Sequence, residues 1–163
     1  MTDRRNLLKG AGGALAASAI APAAAQAAEA DSCGRAVKPA TFLISHGAWG
    51  GAGEFDPMAK ILRDRGHVVY VPTLSGTGER AHVRPPGINV ATHVEDLLSV
   101  IRFSNLDDFV LVGHSYGGMV ITGVADRVPE KIRSIVYLDA FMPEDGQAVI
   151  DTGVDPEQLE YFR

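Results

Sequence analysis

The stretch from Phe109 to Gly118 is Phe-Val-Leu-Val-Gly-His-Ser-Tyr-Gly-Gly (FVLVGHSYGG), and it decides the fold. Its first four residues form an unbroken apolar run, which is typical of a strand covered on both faces of a parallel sheet. The next residues, Gly118 to Val128, space their apolar side chains as a helix that Pro129 ends. The sequence therefore places a Gly-x-Ser-x-Gly motif at the junction between a strand and a helix.

The serine of this motif is predicted to be a nucleophile. A strand-to-helix turn this tight strains Ser115 and lifts its hydroxyl above the sheet, while Gly113 and Gly117 avoid clashes with neighbouring backbone. The helix that follows directs the positive end of its dipole at the turn. The backbone N–H of Tyr116 is then expected to donate a hydrogen bond to an oxyanion.

A second glycine-containing segment, SHGAW, follows the first predicted strand. Gly47 lets the chain turn close to the serine, so the backbone N–H of Ala48 is the expected second oxyanion donor. The alternative is a glycine-rich turn between strand and helix with no catalytic role.

Apolar runs and helical patterns alternate along the rest of the chain. This alternation predicts an α/β fold with a parallel, doubly wound sheet whose ligand site lies beyond the carboxyl ends of the strands. Asp56 and Thr92 are the expected N-caps of the first two helices. The predicted strands, all expected to be covered on both faces, are Thr41–Ser45, Val68–Pro72, Phe109–Gly113 and Ile135–Asp139; the predicted helices are Asp56–Gly66, Ala91–Phe103 and Gly118–Val128.

Residues 1–30 differ in composition from the rest. They combine the pair Arg4-Arg5 with a weakly apolar, alanine-rich middle and small residues suited to cleavage, which predicts an export signal of the twin-arginine type. A membrane anchor is the alternative, but the stretch is short and broken by glycines. We expect export to the periplasm or beyond, no stable membrane anchor after cleavage, and a folded domain over residues 31–163.

Charge and composition restrict the partners. The net charge is −5 and no run of Lys and Arg occurs, which argues against nucleic acid. No His, Asp and Glu residues have metal-ligand spacing, so neither a metal nor another cofactor is expected. Cys33 is the only cysteine, so no internal disulfide can form; a surface thiol is expected, with a lipid-modified cysteine after the signal as the alternative.

Four segments together resemble the α/β-hydrolase fold superfamily: TFLISHGAWGGAGEF, LRDRGHVVYVPTLSGTGER, DDFVLVGHSYGGMVI and IRSIVYLDAFMPEDG. The nearest resemblance is to the esterase branch with plant methylesterases, hydroxynitrile lyases and related bacterial esterases, over about Thr41 to Gly146. This resemblance implies a carboxylic ester hydrolase acting on a small-molecule ester. The lyases tend to carry a bulkier residue in place of Gly47, which favours hydrolysis over cyanohydrin cleavage.

The family order is serine, then acid, then histidine, yet no histidine follows Ser115. Asp139 is a candidate acid, with a structural aspartate as the alternative. Among the histidines, structural or packed roles are expected for His46, His67, His93 and His114, and only His82 lies where it could approach the pocket. The catalytic histidine, and with it the acid, is therefore expected outside this chain.

The acidic end of the chain, about residues 144–163, resembles the start of a cap region, so the hydrolase domain is expected to be C-terminally incomplete, with a companion C-terminal half as a partner. Trp49, Tyr116 and Phe141 are expected to line an apolar pocket, and the irregular loop 74–89 is expected to form its rim. The alternatives are an inactive remnant or binding protein of the same fold, and a lyase or dehalogenase.

Overall fold

The computed structural model describes residues 38–83 and 86–152. The chain forms a four-stranded parallel sheet in the order β2-β1-β3-β4. This confirms the predicted α/β class with its parallel sheet. In chain order the elements are β1 (Thr41–Ser45), α1 (Asp56–Asp64), β2 (Val68–Tyr70), α2 (Val90–Phe103), β3 (Phe109–Ser115), α3 (Gly117–Arg127) and β4 (Ile132–Ala140).

Helices cover both faces of the sheet, so the fold is doubly wound as predicted. Successive side chains of a strand point to opposite faces. Leu43 of β1 and Leu111 of β3 accordingly pack with α2 and α3, whereas Ile44 of β1 packs with α1 on the other face. Both layers are closely packed, and Leu43, Ile44 and Leu111 are wholly buried.

The direction in which successive strands are added to the sheet reverses between β1 and β3, although all four strands are parallel. From β1 the chain first builds β2 on one side and then crosses to β3 on the other. The loops that follow β1 and β3 therefore lead to helices on opposite faces, and folds of this kind bind ligands outside the carboxyl edge of the sheet at such a point. SHGAW and the Gly-x-Ser-x-Gly motif lie at this edge.

Several predicted element ends are wrong, among them those of α1, β2, β3 and β4. β2 ends at Tyr70 instead of Pro72, because it pairs only with β1, through Thr41 to Leu43, and proline has no N–H to donate. β4 is longer than predicted and runs from Ile132 to Ala140, because its pairing with β3 begins at Phe109 and continues to Ser115.

The predicted helix caps also need correction. Asn89, not Thr92, caps α2: its side chain accepts from the Thr92 N–H at 3.2 Å, and the Thr92 hydroxyl accepts from the Asn89 N–H at 3.3 Å. Thr92 is thus the N3 residue of a capping box, three positions after the N-cap Asn89. Asp56 is the first residue of α1 rather than its cap, because a 3-10 turn, Ala52–Phe55, leads directly into the helix.

β4 is not covered on both faces as expected. Ile135, Val136 and Leu138 are each about 40% exposed, although they lie in the middle of the strand. In the part of the chain that the structure describes, β4 lies at the edge of the sheet and pairs only with β3. An apolar run predicts a strand but does not reveal whether the strand is central or at an edge.

Candidate active site

Ser115 lies at a strained junction. It is the last residue of β3 and has a φ of 51°, a conformation that residues with a Cβ rarely adopt. Tyr116 returns to helical angles, and α3 begins at Gly117. Strain of this kind persists where the surrounding structure imposes it, and it is found most often at functional sites.

Backbone contacts explain why glycines surround the serine. A Cβ on Gly113 would lie 2.6 Å from the Gly117 carbonyl oxygen, and a Cβ on Gly117 would lie 2.5 Å from the carbonyl oxygen of Ser45. Gly118 is equally constrained, because its Cβ would meet the carbonyl oxygen of Phe141. These contacts are with backbone atoms, which cannot rotate away as a flexible side chain could.

The segment after β1 passes directly beside the serine. A Cβ on Gly47 would lie 3.5 Å from the Cβ of Ser115 and 3.9 Å from its Oγ. Gly47 is buried and Ala48 is half-buried. The Gly47 segment therefore lies beside Ser115, while the backbone N–H groups of Ala48 and Tyr116 stay predictions as the oxyanion donors.

His46 holds the segment after β1 in place through hydrogen bonds of its buried ring. Its Nδ1 is 2.7 Å from the Gly47 carbonyl oxygen, and its Nε2 is 3.0 Å from the backbone N of Leu74. A carbonyl only accepts and an amide N–H only donates, so Nδ1 carries the proton and Nε2 accepts. The ring is wholly buried, and this burial lowers its pKa below the usual 6.5. His46 is thus a neutral link between the loops that follow β1 and β2.

A second buried histidine, His93 of α2, contacts the residue after the serine. Its Nδ1 is 2.8 Å from the phenol oxygen of Tyr116, and its Nε2 is 2.9 Å from the carbonyl oxygen of Ser75. Ser75 is held in turn by Asp96, one helical turn after His93, whose carboxylate accepts from the Ser75 N–H at 2.7 Å and from its hydroxyl at 2.9 Å. Burial raises the pKa of Tyr116 to about 12, so its hydroxyl keeps its proton.

The other histidines have different surroundings. His67 accepts from the Ala40 N–H at 3.1 Å and packs edge-on against Phe42. His114 packs edge-on against Phe55. His82 is exposed in the loop after β2. The structural and packed roles expected for four of the histidines agree with these contacts.

Asp139 lies one residue before the end of β4. The pairing register between β3 and β4 shifts here: His114 pairs with Leu138, whereas the next residue, Ser115, pairs with Ala140. Asp139 is therefore the extra residue of a β-bulge. Asp139 has a φ of 44° and an exposed side chain. The bulge is followed by Phe141, whose N–H donates to the Ser115 carbonyl oxygen at 3.1 Å.

Sequence reasoning did not find Ser75, Asp96 or the tight position of Gly118. One signal was present: His93 and Asp96 are three residues apart on one helix, and residues at this spacing lie on the same face. Their partner Ser75 belongs to the loop LSGTGER, which was expected to carry function. Nothing in the sequence pairs these segments, because the contact forms only when α2 packs beside the loop.

Some predictions fall on residues outside the described ranges. The export signal over residues 1–30 lies there, as does the cap region from residue 153 onward; the described part of that region contains only a 3-10 turn, Val149–Asp151. Within the described residues, no helix is long and apolar enough to cross a membrane. The same residues contain no group of three or more His, Cys, Asp and Glu side chains suited to a metal.

Comparison with known proteins identifies relatives over most of this chain. A model of the alpha/beta hydrolase family matches residues 42–162. The chain is 52% identical over 126 residues to a carbendazim hydrolyzing esterase of Nocardioides sp., covering 76% of this chain and 52% of the relative. It is 30% identical to an alpha-hydroxynitrile lyase of Arabidopsis thaliana, covering 63% of this chain and 40% of that protein.

A solved structure is also similar. An extracellular alpha/beta-hydrolase from a Paenibacillus species, described as sharing structural and functional homology with tobacco salicylic acid binding protein 2, superimposes with a TM-score of 0.69 and 40% sequence identity. The match covers 76% of this chain and 50% of that one. The chain thus spans about half the length of the relatives it matches. The predicted resemblance to this fold and its esterase branch is confirmed.

Proposed function

This chain belongs to the alpha/beta hydrolase family, and we propose that it is a serine hydrolase acting on carboxylic esters without a cofactor. The observation that carries the proposal is the position of Ser115: strained at the end of β3, at the amino end of α3, with the Gly47 segment beside its hydroxyl. A hydroxyl held in this way is the arrangement used for attack on a carbonyl. The 52% identity to an esterase supports the same chemistry.

In the proposed reaction, Ser115 Oγ attacks the ester carbonyl carbon and transfers its proton to a base. The carbonyl oxygen becomes an oxyanion that accepts hydrogen bonds from the backbone N–H groups of Ala48 and Tyr116. The carbon–oxygen bond to the alcohol then breaks, the alcohol leaves with a proton, and an acyl-serine remains. Water then hydrolyses this acyl-serine ester, which releases the carboxylic acid and regenerates the Ser115 hydroxyl.

The base is proposed to come from outside the described residues. Among the described histidines, the exposed His82 stays the alternative, and His114, whose Nδ1 is buried, precedes Ser115 on β3, where successive side chains point to opposite faces. Both ring nitrogens of His46 and of His93 already have partners within the fold, and His67 accepts a backbone N–H. A histidine engaged in this way cannot also take the proton of Ser115 without giving up a buried hydrogen bond. The catalytic acid is proposed to come with the base from outside the described residues. Asp139, on the bulge beside the serine, is the second candidate for this acid.

Two side chains beside the proposed oxyanion donors are candidates for contacting the ester. Trp49 follows Ala48 and is 67% exposed, and the half-buried Phe141 hydrogen-bonds to the backbone of Ser115. Together with Tyr116 they would offer an apolar surface to the acyl or alcohol group. Because a relative is named for carbendazim, that compound is a reasonable first substrate to test.

Export is proposed as well. The extracellular relative supports it, together with the twin-arginine pattern of residues 1–30. Mass spectrometry of the protein recovered from the periplasm or medium of a bacterial host should find a new N-terminus near residues 27–31, and replacement of Arg4 and Arg5 by lysine should keep the full-length chain in the cytoplasm.

The esterase activity is tested with residues Met1–Arg163 and a chromogenic short-chain ester, with imidazole added to stand in for the base proposed to lie outside the described residues. We expect turnover that Ser115→Ala abolishes and Ser104→Ala leaves unchanged, because Ser104 is an exposed serine at the end of α2. Loss of the base from a comparable triad lowers kcat by roughly a million-fold, so turnover without an added base is expected to be slow. No turnover by this chain would favour the alternative, an inactive remnant or binding protein.

A further inference from the structure

The polar cluster behind the nucleophile has no part in the reaction as described. It consists of His93, Tyr116, Ser75, Asp96 and Arg80, which come from α2, the turn after β3 and the loop after β2. His93 is buried to 94%, and burying this many polar groups is unfavourable unless their hydrogen bonds are satisfied. The burial of these polar side chains therefore needs a structural or functional explanation.

The proton positions within the cluster follow from its partners. The Ser75 carbonyl only accepts, so His93 Nε2 carries the proton and donates to it. In the neutral ring Nδ1 is then an acceptor, and the Tyr116 hydroxyl donates to it at 2.8 Å. The raised pKa of Tyr116 keeps this donor protonated. The hydrogen bonds thus run in one direction, from Tyr116 through His93 to Ser75.

The far end of this chain of hydrogen bonds is anchored. Asp96 accepts both the N–H and the hydroxyl of Ser75. Arg80 donates to the hydroxyl oxygen of Ser75 at 3.1 Å and to the carbonyl oxygen of Thr73 at 2.8 Å. Ser75 therefore cannot shift without breaking charge-assisted hydrogen bonds, which are among the stronger ones in proteins. His93 is held in a fixed orientation as a result.

We infer that His93 is a positioning residue for the oxyanion site. Tyr116 carries the backbone N–H proposed to hold the oxyanion, and its side chain is tied to α2 by His93. Holding the ring restrains Tyr116, and with it the peptide between Ser115 and Tyr116 that carries this N–H. A misplacement of about 1 Å at such a site can lower the rate about a hundred-fold, so a remote tether of this kind affects catalysis without touching substrate. This role rests on the proposed function.

The test uses Tyr116→Phe and His93→Gln in residues Met1–Arg163, singly and together, assayed with added imidazole as the base and with Tyr137→Phe as the matched control. Tyr137 is also half-buried and its hydroxyl lies 2.8 Å from that of Thr122, so the control removes a similar phenol hydrogen bond elsewhere. We expect each of the first two variants to lower kcat by about ten-fold or more with little change in KM, and the double variant to be no slower than either. Multiplied effects, or a change in KM alone, would overturn the role.

Nuclear magnetic resonance can test the hydrogen bond between Tyr116 and His93 without an activity assay. We expect His93 to be the Nε2–H tautomer. Tyr116→Phe should shift the Nδ1 resonance of His93 and speed hydrogen exchange at the backbone amide of residue 116, whereas Tyr137→Phe should do neither. An unchanged Nδ1 resonance and an unchanged amide in Tyr116→Phe would overturn the inference. If the wild-type chain does not hydrolyse esters, the proposed function fails, while these resonances still decide whether His93 positions the Tyr116 amide.

Discussion

At the scale of single residues, the site depends on how closely its backbone segments approach. Gly117 lies against the carbonyl oxygens of both Ser45 and His46, so the end of β1 and the start of α3 are in contact through a residue without a side chain. This contact brings the loop after β1 to the serine. The same closeness makes the site sensitive to a single methyl group.

Gly117→Ala should therefore destabilise the fold. The new Cβ would lie 2.5 Å from the Ser45 carbonyl oxygen, and relief requires movement of the backbone. We expect the free energy of unfolding in urea to fall by about 1–3 kcal/mol. Gly53→Ala is the control, because its Cβ would meet only an Asp56 carboxylate oxygen at 3.9 Å on the surface, and it should change stability by less than about 0.5 kcal/mol. Equal effects would contradict the packing described here.

His46 should make stability depend on pH. Burial lowers its pKa in the folded state below the value of 6.5 that it has when unfolded, so the unfolded chain binds more protons just below that pH. Stability is then fully present above about pH 6.5 and is lost as the pH falls, by at most about 1.4 kcal/mol per pH unit. Urea unfolding at several pH values should show a shallower dependence in His46→Gln than in the wild type. A dependence that is equally steep in the variant would exclude His46 as its source.

At the scale of elements, α2 carries both a cap and the anchor of the site. Asn89 and Thr92 satisfy backbone groups at its first turn, and His93 and Asp96 follow immediately. The position of the first turn therefore sets where the two polar side chains meet the loop after β2. Fraying of this turn would loosen the site as well as the helix.

Asn89→Ala should cost about 1 kcal/mol of stability, because the Thr92 N–H loses its acceptor. Amide hydrogen exchange should quicken first in the initial turn of α2. Ser104→Ala, at the opposite end of the same helix, should leave exchange in the first turn unchanged. A loss spread evenly over α2, or none, would show that the capping box does not hold the turn.

The order and type of the elements could be predicted because each depends on local patterns. Unbroken apolar runs marked the strands, and Pro57, Pro129 and the periodic apolar residues marked the helices. The strain at Ser115 was also predictable, since a serine between two glycines after a strand leaves little alternative. The link from Tyr116 through His93 to Ser75 was not, because it joins three distant segments whose side chains carry no pattern in common.

At the scale of the whole molecule, the two sides of the sheet differ. β1 and β3 are central and their apolar side chains are buried, whereas β4 presents Ile135, Val136 and Leu138 partly to solvent. Exposed strand edges with apolar side chains tend to pair with other chains. Among the described residues no strand pairs with the side of β4 away from β3, and we propose that this side receives a further strand from a C-terminal half.

The chain by itself should consequently self-associate. Val136→Lys should reduce association measured by sedimentation velocity, because a charge on an edge strand disfavours pairing. Phe103→Lys is the control: it removes a more exposed apolar side chain, 84% accessible, from the end of α2 and away from the sheet edge. If both variants reduce association equally, general surface hydrophobicity rather than β4 is responsible.

The central claim is that Ser115 is a nucleophile because of its place at the end of β3. The most direct measurement adds imidazole as a base, reacts the protein with an organophosphate that carries a 4-nitrophenol leaving group, and then analyses the intact protein and its peptides by mass spectrometry. The account predicts one phosphoryl group on the peptide containing Ser115, present in Ser104→Ala and absent in Ser115→Ala. A wild-type protein left unmodified by saturating reagent, or a label on any other residue that survives Ser115→Ala, would contradict it.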